Sequence, residues 1–223
     1  AAERIAAPYI QPLDETTPFE YLAPNGGNVL NVLWKNRSTG CIERVRAMLE
    51  RVLDGGRFKL EPIGDQLVLK INSVDDDNYY QPVNVGYGYS YILSLITAAV
   101  LAPSGSFIIV ENPEAHLHPA AQAKIMNELM VVATERDIQL IVETHSDHIL
   151  NTALRAVNEH RLKVDELEVL FFSNSTSNDE MPEKKVRNLE VNERGHILNP
   201  PKQFFEQYSI DLRALYTPPT RYE

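Results

Sequence analysis

Between residues 106 and 159 the apolar positions of the chain repeat one order twice, a short run and then a helical stretch. Residues 106–110 (SFIIV) and 138–142 (IQLIV) are mostly apolar runs bounded by turn residues, which predicts strands covered on both faces. Residue 120 to about 134, and 147 to about 159, carry apolar positions at helical spacing. Strands that alternate with helices predict an α/β fold, a mostly parallel sheet flanked by helices.

The flanking segments extend this pattern. Residues 39–56 (TGCIERVRAMLERVLDGG) place Ile42, Val45, Leu49 and Val52 on one helical face, with Thr39 expected to cap the start and Gly55 or Gly56 to stop the end. RFKLEPI and QLVLKINS alternate like a hairpin whose turn contains Gly64 and Asp65. Residues 1–31 are rich in Pro, Asn and Gly and predict an extended arm. From Ser90 to Ala102 an apolar helix is expected, ended by Pro103-Ser104-Gly105. Beyond residue 160, ELEVLFFSN predicts a further strand and KVRNLEVN an alternating one. A helix from about 201 to 215 is expected to pack back on the sheet through Phe204, Phe205, Tyr208, Leu212 and Leu215.

Composition narrows the function classes. With 21 basic and 31 acidic residues the formal charge is −10, so no whole-protein field draws in nucleic acid or an anionic membrane. Cys41 is the lone cysteine, which excludes an internal disulfide framework and a thiolate-rich zinc site. The longest apolar run, YILSLITAAVLAP, is too short to cross a bilayer, and a soluble cytoplasmic protein is expected.

In an open parallel sheet ligands lie outside the carboxyl ends of the strands. Glu111 directly follows one predicted strand and His145 follows the other by a few residues, which assigns both to that edge. Asn112, Glu114, His116 and His118 make the loop before Pro119 too polar for mere packing, and Pro119 suits the first turn of a helix. In THSD, Ser146 or Asp147 is a helix cap in the plainer reading. The glycines of VGYGYS allow backbone N–H groups to approach an anion, although the segment alone also reads as a flexible turn. Two other function classes stay open. Glu111, Glu114, His116, His118, His145 and His148 have spacings usable by a Zn²⁺- or Mn²⁺-dependent hydrolase. The tyrosines of NVGYGYSY, with the Pro-rich arm, suit a non-catalytic protein-interaction module.

The order VGYGYS, apolar helix, FIIVENPEAHLHP and IQLIVETHSDHIL resembles the ABC-type ATPases, in the overcoming-lysogenization-defect-like AAA branch. The ending NERGHILNPPKQFFEQYSIDLRAL resembles the subgroup with a DUF3696 domain, and the likeness runs from about residue 80 to 216. It implies the C-terminal portion of a P-loop NTPase fold. Residues 1–31 would be an arm or remnant and 32–223 part of the ATPase domain. Within that part, 39–102 would bear the signature, 106–173 the parallel-sheet core and 184–216 the tail.

The resemblance also implies roles. Phe107–Glu111 matches Walker B, with Glu111 in the place of the acid that holds Mg²⁺ near the phosphates of ATP. Asn112 falls where many relatives carry the catalytic glutamate, so either Glu114 or a partner group would supply the base, or hydrolysis would be slow and nucleotide binding the working signal. His145 matches the switch histidine. Residues 114–119 match the D-loop, with His116 and His118 toward a facing subunit. Gly86, Gly88 and Ser90 match a degenerate signature that closes over ATP on the other protomer, with Tyr91 where the subgroup has Gln. A Gly-rich segment ending in Lys-Ser or Lys-Thr occurs nowhere in the sequence. ATP and Mg²⁺ would then need a P-loop half, and the isolated chain is expected to be inactive. The implied partners are an N-terminal ATPase half or a second protomer, as in a homodimer, with a nuclease or effector in DNA repair or phage defence. The C-terminal region has no acid cluster of the Toprim type, and a DNA substrate stays open.

Overall fold

The computed structural model describes residues 10–14, 16, 18, 22–72, 78–172, 186–201, 204–205 and 207–216. The chain divides into two compact units, Ala1–Thr152 and Ala153–Glu223.

The first unit opens with a three-stranded antiparallel sheet. β1 (Ile10–Pro12) pairs with β3 (Gln66–Asn72), which pairs in turn with β2 (Arg57–Ile63). The hairpin turns at Gly64, whose φ of +61° suits a residue without a Cβ, as the alternating pattern predicts. Phe58, Leu67, Leu69 and Ile71 are buried, while Glu61 bonds Lys59 and Lys70 outside. Helices α1 (Val29–Lys35) and α2 (Cys41–Val52) pack in the same unit. Within the entry arm, Asn31 of α1 donates to the Pro12 carbonyl and accepts from the Asp14 N–H, so the arm is stitched to the helix. Thr39 does not cap α2. Its hydroxyl donates to the Asn36 carbonyl, and Gly40, at φ +74°, occupies the cap position. Gly55 ends the helix as expected, its N–H donating to the Glu50 carbonyl.

α3 (Tyr87–Leu101) is apolar nearly all round and therefore central, with Ile92, Leu93, Leu95, Ile96 and Ala99 buried. It begins three residues before the expected start. The next stretch follows the predicted order: β4 (Phe107–Glu111), α4 (Pro119–Arg136), β5 (Gln139–Glu143) and α5 (Asp147–Asn158). β4 and β5 pair in parallel, Ile109 opposite Ile141 and Glu111 opposite Glu143. Among the described residues, parallel pairing is confined to these two strands.

In the second unit β6 (Val169–Phe172) pairs antiparallel with β7 (Val186–Leu189), rather than extending the parallel sheet. β6 alternates exposed and half-buried positions, the pattern of a strand covered on one face only. Gly195 is held at φ +69°, and a Cβ there would lie 2.1 Å from the Leu154 carbonyl oxygen. The tail helix α6 spans Gln207–Tyr216, shorter than expected. Of the five residues expected to pack, Phe205 and Leu215 are exposed, the side chains of Tyr208 and Leu212 lie outside the described residues, and the half-buried one is Phe204. Its ring sits edge-on to Phe171 of β6 at 5.5 Å.

Candidate functional site

Side chains at register-paired positions project from the same face of a sheet. The face that carries Glu111 and Glu143 therefore also carries Phe107, Ile109 and Ile141, which are 52%, 63% and 50% exposed. Within the described residues, neither the Glu111 nor the Glu143 side chain makes a hydrogen bond or ion pair. A groove of about 290 Å³ runs along Ile108, Ile109, Val110 and Glu111 and is lined also by Leu22, Ala23, Pro24 and Gly26 and by Ser94, Leu95 and Ala98 of α3.

After Glu111 the ladder continues for one bond, the Asn112 N–H donating to the Glu143 carbonyl at 2.8 Å. Asn112 then turns the chain at φ +46°, in the left-handed region that Asn enters more readily than Glu. The amide at this position thus has a backbone reason. Two short turns follow, Ala115 N–H to Asn112 O and Leu117 N–H to Glu114 O, with His116 at φ +61°.

Glu114 points to the end of β5. One oxygen accepts from the Thr144 hydroxyl and the other from the His145 N–H, both at 2.8 Å. Thr144 Oγ1 in turn accepts from the Ser146 N–H at 3.0 Å. Ser146 is buried and caps α5, accepting from the His148 and Ile149 N–H groups. Its own hydroxyl donates to Gln122 Oε1 at 2.6 Å, and Gln122 Nε2 donates to the Leu117 carbonyl. The backbone around His145 is thereby tied down on both sides. The His145 ring is exposed and makes no hydrogen bond or ion pair within the described residues.

The signature-like segment lies against the same loop. Gly86 is the helix N-cap at φ +105°, and Gly88 lies in the first turn of α3. A Cβ on Gly88 would stand 2.8 Å from the His116 carbonyl oxygen, and the Tyr87 and Tyr91 rings flank the His116 ring at 5.9 and 5.3 Å. Ser90 is turned inward, its hydroxyl donating to the Tyr87 carbonyl at 3.3 Å. Tyr89 packs over Gly56, and burial pushes its phenol up, with Asp54 adding to the shift.

His118 caps α4, its Nδ1 accepting from the Ala120 N–H, and His148 lies 3.6 Å from Asp147 on the surface. Among the described residues no three His, Cys, Asp or Glu side chains converge to hold a metal ion, so the transition-metal spacing has no counterpart in space. The structure brings together Glu114, Thr144 and His145, and separately Gly88 and His116. Sequence reasoning passed over Glu143, Thr144 and Gln122. Glu143 carried a signal, since it ends its apolar run at the same point as Glu111. Gln122 carried none.

No described helix is long and apolar enough to cross a membrane. The family described as "AAA domain, putative AbiEii toxin, Type IV TA system" matches residues 32–151, and the family of unknown function DUF3696 matches 162–215. No curated protein matches the chain. A solved structure described as "Structural biochemistry of ATP-driven dimerization and DNA stimulated activation of SMC ATPases" has a TM-score of 0.53 at 12% identity, over 81% of this chain and 96% of that one. The Smc head domain with a coiled coil and joint from Pyrococcus yayanosii has a TM-score of 0.48 at 15% identity, over 82% of this chain and 31% of that one. The first likeness is one of fold, that of a P-loop NTPase. With more than half of its 223 residues matched by that AAA-domain model, the chain belongs to the AAA-domain family, and a DUF3696 region follows that domain.

Proposed function

We propose that this chain contributes Glu111, His145 and the 85–91 segment to an ATP site completed by a P-loop that comes from outside these residues. The observation that carries the reading is the open face of β4 and β5. It ends in two carboxylates without partners among the described residues, beside a histidine whose backbone is fixed and whose ring engages none of those residues. An unpartnered carboxylate at a strand end fits Mg²⁺, and the ion when bound would neutralise charge on the phosphate oxygens. Glu111 is the residue that would hold it. His145 donates a hydrogen bond toward charge that develops on the transferring phosphoryl group. Asn112 orients water but accepts its proton poorly, which makes hydrolysis slow. Gly86 and the first turn of α3 present backbone N–H groups to nucleotide on a second protomer, with His116 behind them. A protein of this fold is described by its ATP-driven dimerization, which supports the homodimer.

Nucleotide binding by these residues alone is weak, because no lysine-bearing phosphate loop is among them. In the polypeptide that includes the P-loop, Glu111→Gln and His145→Ala each lower ATP turnover by about 10²–10³-fold. Unchanged turnover in both variants removes the assignment.

A further inference from the structure

We infer that Glu114 is a positioning residue, whose carboxylate fixes the loop after β5 so that the His145 ring is presented at the carboxyl edge of the sheet. The functional half of this statement rests on the reading of His145 as a phosphate-facing group, while the structural half stands without it. Three observations carry it. The two Glu114 oxygens are each used, one by the Thr144 hydroxyl and one by the His145 N–H. The Thr144 hydroxyl is oriented by this bond, since its proton goes to Glu114 and its lone pair receives the Ser146 N–H. A second tie, Leu117 carbonyl to Gln122 to Ser146 Oγ, joins the same two loops one step further along. The loop after β4 therefore grips the loop after β5 at residues 144, 145 and 146 in succession.

This arrangement separates Glu114 from Glu111 and Glu143. Those two acids have no protein partner within the described residues, which leaves their oxygens available to a ligand. Glu114 is committed to its neighbours before any ligand arrives. Hydrogen bonds to an ionised acceptor are roughly twice as strong as neutral ones, and a His145 N–H left without its acceptor would have to turn to water.

Conservative rescue separates positioning from proton transfer. Glutamine at 114 keeps an oxygen for the His145 N–H and offers an N–H to Thr144, but it cannot take a proton. Alanine keeps nothing. In the full chain without nucleotide, amide hydrogen exchange read by NMR should rise about tenfold or more at His145 and Ser146 in Glu114→Ala. Ile141 and Val142 of β5 should hold their rates. Glu114→Gln should stay within about threefold of the parent, and Thr144→Val should give an intermediate rise. Thr144→Ser should restore the parent rate. Unchanged His145 exchange in both Glu114→Ala and Thr144→Val overturns the inference, as does a rise in Glu114→Ala that Ile141 and Val142 share while Thr144→Val leaves His145 at the parent rate.

In the ATP-hydrolysing polypeptide, Glu114→Gln should keep most of the turnover lost in Glu114→Ala. Glu114→Ala added to His145→Ala should lower turnover no further than about twofold. Equal loss in Gln and Ala variants, or losses that multiply with His145→Ala, makes Glu114 the base instead. Absent turnover in the parent would sink the ATPase reading, and the exchange rates would then decide the positioning role by themselves.

Discussion

The two sheets of the first unit bury their apolar residues to very different extents. In the antiparallel sheet, Phe58, Leu67, Leu69 and Ile71 are at most 1% exposed, and charged residues take the outer face. In the parallel pair, Phe107, Ile109 and Ile141 stand at least half exposed, on the face that ends in Glu111 and Glu143. Parallel strands are ordinarily covered on both faces, and among the described residues the second sheet leaves one apolar face open where the first buries its own. That apolar face leads to acids without partners among the described residues, which is where the proposed phosphate-loop layer would lie.

Substitutions at matched positions turn the contrast into numbers. Leu69→Ala should cost about 2–5 kcal/mol by urea unfolding, since it empties a site that is fully buried. Ile109→Ala on the parallel pair should change stability by less than about 0.5 kcal/mol, because the side chain is largely in water already. Similar losses at the two positions would erase the distinction.

Asn112→Glu lies between these extremes. It should cost about 1–2 kcal/mol, because the backbone at φ +46° favours Asn. It should nonetheless speed hydrolysis in the complete polypeptide if the amide limits proton removal. A slower rate at unchanged stability would contradict that account.

The smallest effect belongs to the outer face of the antiparallel sheet. Hydrogen bonds from Lys70 and then Lys59 hold the Glu61 carboxyl below its usual range. A carboxylate with a lowered folded-state pKa adds stability above its unfolded value and loses it as pH falls through the folded value. Lys70→Met should therefore flatten a shallow acid limb below about pH 4.5 in the unfolding midpoint. The two side chains are each 32% exposed and screened by water, so a large change would contradict their placement.

Much of the parallel unit was legible in the sequence because it is written in local signals. The runs SFIIV and IQLIV mark strands by length and flanking turns, Pro119 marks a first helical turn, and Ser146 proved to be a cap. What escaped depends on contacts far apart in sequence or on backbone torsion. The start of α3 at Tyr87 was missed because glycine at 88 argues against a helix, and only the close His116 carbonyl shows why it is there. Thr39 reads as a cap until Gly40 adopts positive φ. The hold of Glu114 on residues thirty positions away has no periodicity to betray it. β6 reads as one more parallel strand, and its antiparallel partner β7 is set by pairing that pattern alone does not choose.

Cys41 offers a silent background for the direct test of the proposed cover. It is 0% exposed, and burial pushes its thiol up, so native labelling with a thiol reagent should be slow. A cysteine introduced as Ile109→Cys should react quickly in this chain alone. In the polypeptide that includes the P-loop it should react about a hundredfold more slowly, as at a site that must first open by roughly 3 kcal/mol. Equal rates in the two settings would show that nothing covers the β4–β5 face, and would contradict the proposed completion of the ATP site there.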